Sequence, residues 1–293
     1  MSIVGVLKLF RAPSAPTGED GRMALADHLR ELRARLLRSV VVLIAAFVAL
    51  LFVYDVLLDL ILTPYNDAKR ALGDEVETKA YIKGAAGPLL LQLKLTGVGA
   101  LILTSPYWLY QIWAFILPGL HAHERKWSRI FVTVAGPLFM AGVATGYYVL
   151  PRGLEVLIGF TPAQLENLVE FGEYFSFFTR MLLVFGVAYE IPLFVIMLNL
   201  AGVLTGRMLG EYRAWIVLGT FVFAAVATPS TDPFSMLMLA APMTVLFLIS
   251  EGIARIIDRR RGDALGMNLD DDVASELDHR PETFAASDLD EDD

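Results

Sequence analysis

Apolar residues in this chain gather into six runs, at about 36–58, 89–110, 129–150, 174–203, 213–228 and 233–250, parted by short polar stretches. A hydrocarbon core of roughly 30 Å takes about 20 apolar residues per helix, so the pattern predicts an all-α integral membrane protein of six transmembrane helices. Proline and glycine punctuate the runs at Pro64, Gly87-Pro88, Pro118-Gly119, Pro151 and Pro229. The last two runs are only about 16 to 18 residues each, with "PSTD" between them, which predicts a tight hairpin of two short helices. Ahead of the first run, Leu29, Leu32 and Leu36 recur at helical spacing behind Asp27. That spacing predicts an amphipathic helix, capped by Asp27, running along the membrane interface into the first span.

Basic residues fix the expected orientation. Arg30, Arg33, Arg35 and Arg38 precede the first span, Arg125, Lys126 and Arg129 fall between the second and third, Arg207 and Arg213 between the fourth and fifth, and Arg255, Arg259, Arg260 and Arg261 follow the sixth. The alternate loops are poorer in Lys and Arg, so both termini are expected in the cytoplasm. Composition agrees with the membrane assignment: 56% of the 293 residues are hydrophobic, 19% are charged, and mean hydropathy is +0.56. The absence of cysteine excludes disulfides and thiolate-bound metals. The opening "MSIVGVLKLF" is too short an apolar run, and no small-residue cleavage site follows it, so no removable signal peptide is expected. Net charge is −8, yet 12 of the 32 acids lie between Asp263 and Asp293 against Arg280 alone. The expected organisation is a cytoplasmic tail over 1–26, a six-helix membrane domain over 27–258, and an acidic, disordered cytoplasmic tail over 259–293.

Three charged positions stand out. Glu31 is the only acid between Asp27 and Asp55 and is surrounded by arginines; an i,i+4 pair with Arg35 is the simple account of it. Glu124 lies in "HAHERK", at the end of an aromatic-rich stretch, where a solvated helix end is the simple account. A metal site there is not expected, because residues i and i+2 diverge by about 200° on a helix and only two other histidines exist. Glu190 stands inside the fourth run, two residues before Pro192. An ionisable group at that depth costs roughly 2.5–3.5 kcal/mol and faces protein or water, and Pro192 frees a backbone carbonyl beside it. Arg180 lies ten residues earlier, about 15 Å along the axis, too far to neutralise it. No nucleophile elbow, zinc-protease motif or phosphate loop occurs, so neither catalysis nor a cofactor, metal or nucleic acid is expected.

The stretches "HLRELRARL" at 28–36, "SPYWLYQIWAFILPGLHAHERK" at 105–126, "FGVAYEIP" at 185–192 and "TPSTDPFSM" at 228–236 resemble, in this order, the TatC family, the multi-spanning subunit of the twin-arginine protein translocase. The resemblance implies a six-helix, concave receptor in the cytoplasmic membrane of a prokaryote. It also implies recognition of signal peptides bearing paired arginines on folded cargo, and recruitment of TatA-like and TatB-like single-span partners for transport driven by the protonmotive force. By the same resemblance, Glu124 and Glu31 receive the arginine pair, with Phe115, His28 and Leu29 in the same two motifs. Glu190 becomes the intramembrane carboxyl that meets partner helices; Tyr147 and Asp232 are partner-facing or structural; Pro64, Pro106, Pro118 and Pro192 are structural. Arg180 departs from the family pattern.

The chemistry of such a ligand follows independently. A guanidinium fork matches a carboxylate bidentately where an ammonium does not. An exposed pair contributes only about 0–1 kcal/mol, so an apolar surface must add affinity for the rest of the signal. Membrane lipid and further copies of the chain are additional expected contacts. The competing reading is an ion-coupled small-solute transporter with Glu190 as its proton site.

Overall fold

A computed structural model describes residues 25–73, 78–116, 125–162, 164–227 and 233–264. The chain divides into two units, residues 1–255 and 256–293, and the functional side chains considered below lie in the first. In chain order the elements are α1 (Leu25–Leu51), α2 (Tyr54–Leu72), β1 (Thr78–Tyr81), α3 (Gly87–Leu103), α4 (Ser105–Ile116), α5 (Arg125–Gly159), β2 (Asn167–Glu170), α6 (Phe171–Tyr189), α7 (Ile191–Leu200), α8 (Gly206–Glu211), α9 (Arg213–Ala227) and α10 (Pro233–Ala264).

Among the described residues, four stretches have the length and composition to cross a membrane: Leu29–Leu51, Thr133–Gly159, Phe171–Leu200 and Pro233–Arg261. Counted as one span, the bent pair α3 and α4 would be a fifth, and α9 is a shorter apolar helix. The six apolar runs fall largely in helices, but not as six single spans, and the first run is divided at Phe52–Val53 between α1 and α2. The second run is broken at Thr104 by a 54° bend. The sixth is not short, since α10 continues through the basic residues after the apolar run as one 32-residue helix. Asp27 does not cap α1, which begins at Leu25; an acid in the first turn still complements the helix dipole. Besides the helices, β1 and β2 pair in parallel, from Thr78 opposite Asn167 to Tyr81 opposite Glu170, a feature the hydropathy pattern does not predict.

Close backbone approach sets the central packing. A Cβ at Gly142 of α5 would lie 2.5 Å from the Phe185 carbonyl of α6, and one at Gly146 would lie 3.1 Å from the Phe185 side chain. Two glycines four apart thus let α6 settle directly on α5, the small-residue route to helix association where lipid is as apolar as leucine.

Aromatic side chains donate to helix carbonyls, one of them a carbonyl that a proline leaves open. Pro64, inside α2 and fully buried, cannot donate to the Leu60 carbonyl four residues back, and the Tyr147 hydroxyl of α5 donates to that oxygen at 3.0 Å. Tyr174 of α6 donates to the adjacent Ile61 carbonyl at 2.5 Å. At the α3–α4 bend, where Pro106 opens α4, Trp108 donates from Nε1 to the Leu101 carbonyl at 2.9 Å. Pro106 itself is the surface on which Gly136 of α5 packs.

Candidate functional site

Helix α1 presents its apolar stripe outward. Leu29, Leu32 and Leu36 are exposed, as a helix beside hydrocarbon requires, while Glu31 and Arg35 are largely covered and Arg38 is buried. Arg35 donates to Glu31 Oε1 from Nε at 2.9 Å and from Nη2 at 2.5 Å. Its Nη1 donates to Gln111 Oε1 of α4 at 3.1 Å. The expected i,i+4 pair is present, but both side chains are only 19% exposed and the third bond ties them to a helix 76 residues away. Glu31 Oε2 accepts no hydrogen bond among the described residues.

Helix α4 serves two neighbourhoods. Gln111 and Trp113 are both buried and point about 160° apart, the one to Arg35, the other to the fourth span, where its ring lies 6.4 Å from that of Phe194. Phe115, half-buried, lies on the same helix. His28 falls in the first turn of α1 beside Leu29. Glu124, Pro118 and Asp232, as well as the tail beyond Ala264, lie outside the described residues.

Glu190 occupies a break in the fourth span. Helix α6 ends at Tyr189, the Glu190 N–H bonds the Val187 carbonyl at 3.0 Å in a tightened turn, and α7 begins at Ile191 with Pro192 in its first turn. Both carboxyl oxygens are shielded from solvent and neither has a hydrogen-bond partner among the described residues; the Trp113 indole is its polar neighbour but does not complete a bond. Arg180 is exposed and makes no ion pair among the described residues. Tyr147 is not part of the Glu190 surroundings: its hydroxyl serves the Pro64 break, and its ring packs on Phe178, three turns earlier on α6.

A third carboxylate escaped the sequence reading. Glu251, in the second half of α10, is buried and receives Arg213 Nε at 2.9 Å and Nη2 at 2.6 Å, with Arg255 Nη2 also 2.6 Å away. It fastens the start of α9 to α10, and glycines at 206 and 210 let α8 lie directly against Arg255. The available signal was an acid at the end of the last apolar run, four residues before an arginine.

Comparison with known proteins gives one consistent answer. The sequence profile of the family described as Sec-independent protein translocase protein (TatC) matches residues 27–242. A protein of that description from Frankia casuarinae is 40% identical over 272 residues, spanning 89% of this chain and 75% of the relative. One from Corynebacterium kroppenstedtii is 34% identical over 296 residues, spanning 93% and 72%. A crystal structure described as the twin-arginine translocase receptor TatC superposes with a TM-score of 0.64 at 30% identity, covering 78% of this chain and 98% of that one. A second, of the receptor in the detergent DDM, gives 0.67 at 29% identity. Nothing among these relatives supports a small-solute transporter. With its apolar helices and this breadth of likeness, the chain is a multi-spanning membrane protein that belongs to the TatC family of Sec-independent protein translocases.

Proposed function

We propose that this chain is the receptor subunit of a twin-arginine translocase in a prokaryotic cytoplasmic membrane, with both termini in the cytoplasm and no catalytic step of its own. Paired-arginine signal peptides of folded cargo bind where α1 begins and α4 ends, with Glu31 and Glu124 as acceptors and Phe115 beside them. The observation that carries this is that Glu31 already holds a guanidinium, that of Arg35, and keeps its second oxygen open. Glu190 offers its unbonded carboxyl to a polar group on a TatA-like or TatB-like single-span partner, an interaction of roughly 0.6–2 kcal/mol, weak enough to be reversible.

The test is photo-cross-linking in membranes. A twin-arginine peptide should cross-link to positions 31, 115 and 124, and a single-span partner to position 190. Glu124→Ala should reduce peptide binding and export more than Glu31→Ala. Glu190→Ala should leave peptide binding near native and weaken partner cross-linking, with Glu190→Gln milder because the amide still hydrogen-bonds. Native export by both Glu31→Ala and Glu124→Ala would overturn the arginine reading; cross-links from 190 to lipid alone would overturn the partner reading.

A further inference from the structure

We propose that Arg35 is a resident competitor at the arginine site: it limits Glu31 to one ligand guanidinium and makes the site prefer arginine over lysine. This rests on the reading of Glu31 as an arginine acceptor. Both Arg35 bonds go to Oε1, at 2.9 and 2.5 Å, and Oε2 is open among the described residues. The buried Gln111 amide holds the third donor of Arg35 at 3.1 Å, so Arg35 has somewhere to remain when Glu31 turns toward a ligand.

The protein contains the completed version of this arrangement. At Glu251 one carboxylate is shared by two arginines: it accepts from Arg213 across both oxygens and is ion-paired with Arg255, whose Nη2 lies 2.6 Å from Oε1. Glu31 is the same triad with one guanidinium missing. Two guanidiniums share a carboxylate well because each brings directed N–H donors and is weakly hydrated. An ammonium relies on charge attraction and is strongly hydrated, and Arg35 has already offset most of the Glu31 charge. The resident arginine therefore discourages lysine more than it discourages arginine.

Opposite outcomes are expected from the two residues that touch Arg35. Arg35→Gln frees Oε1 and should tighten a twin-arginine peptide about two- to fivefold, and a twin-lysine peptide by more, so that selectivity falls. Gln111→Leu leaves Arg35 with Glu31 alone and should weaken the twin-arginine peptide about two- to threefold. Arg33→Gln, an exposed neighbour, makes the same charge change and should shift both peptides alike. The measurement is the Kd of fluorescent twin-arginine and twin-lysine peptides for the full chain in nanodiscs, with Glu31→Ala in the same series. If Glu31→Ala weakens binding while Arg35→Gln also weakens it, or matches Arg33→Gln, Arg35 is a positioning residue and the competitor role falls. If Glu31→Ala has no effect, the acceptor reading falls and takes this inference with it.

Discussion

Glu251 and Glu190 are both carboxyl groups set into apolar helices, and the fold treats them in opposite ways. Glu251 is surrounded by two guanidiniums that use both of its oxygens. Glu190 has two shielded oxygens and no hydrogen bond to either among the described residues. A buried polar group left unpaired costs about 1–3 kcal/mol, so the chain carries at Glu190 a penalty that it removes at Glu251. The difference separates two uses of an intramembrane acid. A saturated one fastens helices of the same chain; an unsaturated one is, in the function proposed above, open to a donor from a partner.

The sharpest way to break this comparison is to delete each acid. Glu251→Ala should lower stability by roughly 2–4 kcal/mol, somewhat less than a fully buried pair because both arginines are half-exposed. Glu190→Leu should be neutral or stabilising. Denaturant unfolding in detergent checks both, and a larger loss at Glu190 than at Glu251 would reverse the assignment.

The next effect concerns what fixes the place of Glu190. Gly142→Ala puts a Cβ against the Phe185 carbonyl and should cost about 1–3 kcal/mol, whereas Gly219→Ala, with nothing within 4 Å, should be neutral or slightly stabilising. The same unfolding assay decides; equal responses would show that the α5–α6 approach does not constrain the fourth span.

A smaller effect extends the contrast to backbone groups. Tyr147→Phe should cost about 1 kcal/mol by leaving the Leu60 carbonyl unpaired. In a Pro64→Ala background an N–H becomes available to that carbonyl and the Tyr147→Phe loss should shrink, which a double-mutant cycle measures. Additive losses would uncouple the proline from the tyrosine. The smallest effect belongs to the acidic tail: truncation after Arg261 should leave membrane insertion and twin-arginine peptide binding unchanged, and loss of binding would place the tail in the receptor surface.

Much of this protein follows from order in the sequence alone. Apolar runs long enough for lipid must become helices, because a backbone in hydrocarbon has to satisfy its own hydrogen bonds. That rule made the membrane fold and the approximate helices legible, and the isolated acid of Glu190 beside Pro192 was visible for the same reason. Local rules also gave the Glu31–Arg35 pair, since residues four apart share a helix face.

What they did not give were relations between distant residues. The Arg35–Gln111 bond, the Tyr147 hydroxyl on the carbonyl opened by Pro64, and the Arg213–Glu251 bond span 76, 87 and 38 residues. Each depends on which helices pack together, which is decided by side-chain shape and by glycines such as Gly142 rather than by hydropathy. The length of α10 was hidden too, because basic residues end an apolar run without ending a helix. Sequence determined which segments had to be helical and where charge was anomalous; only the tertiary structure decided which anomalous charges were satisfied, because satisfaction depends on donors from other helices.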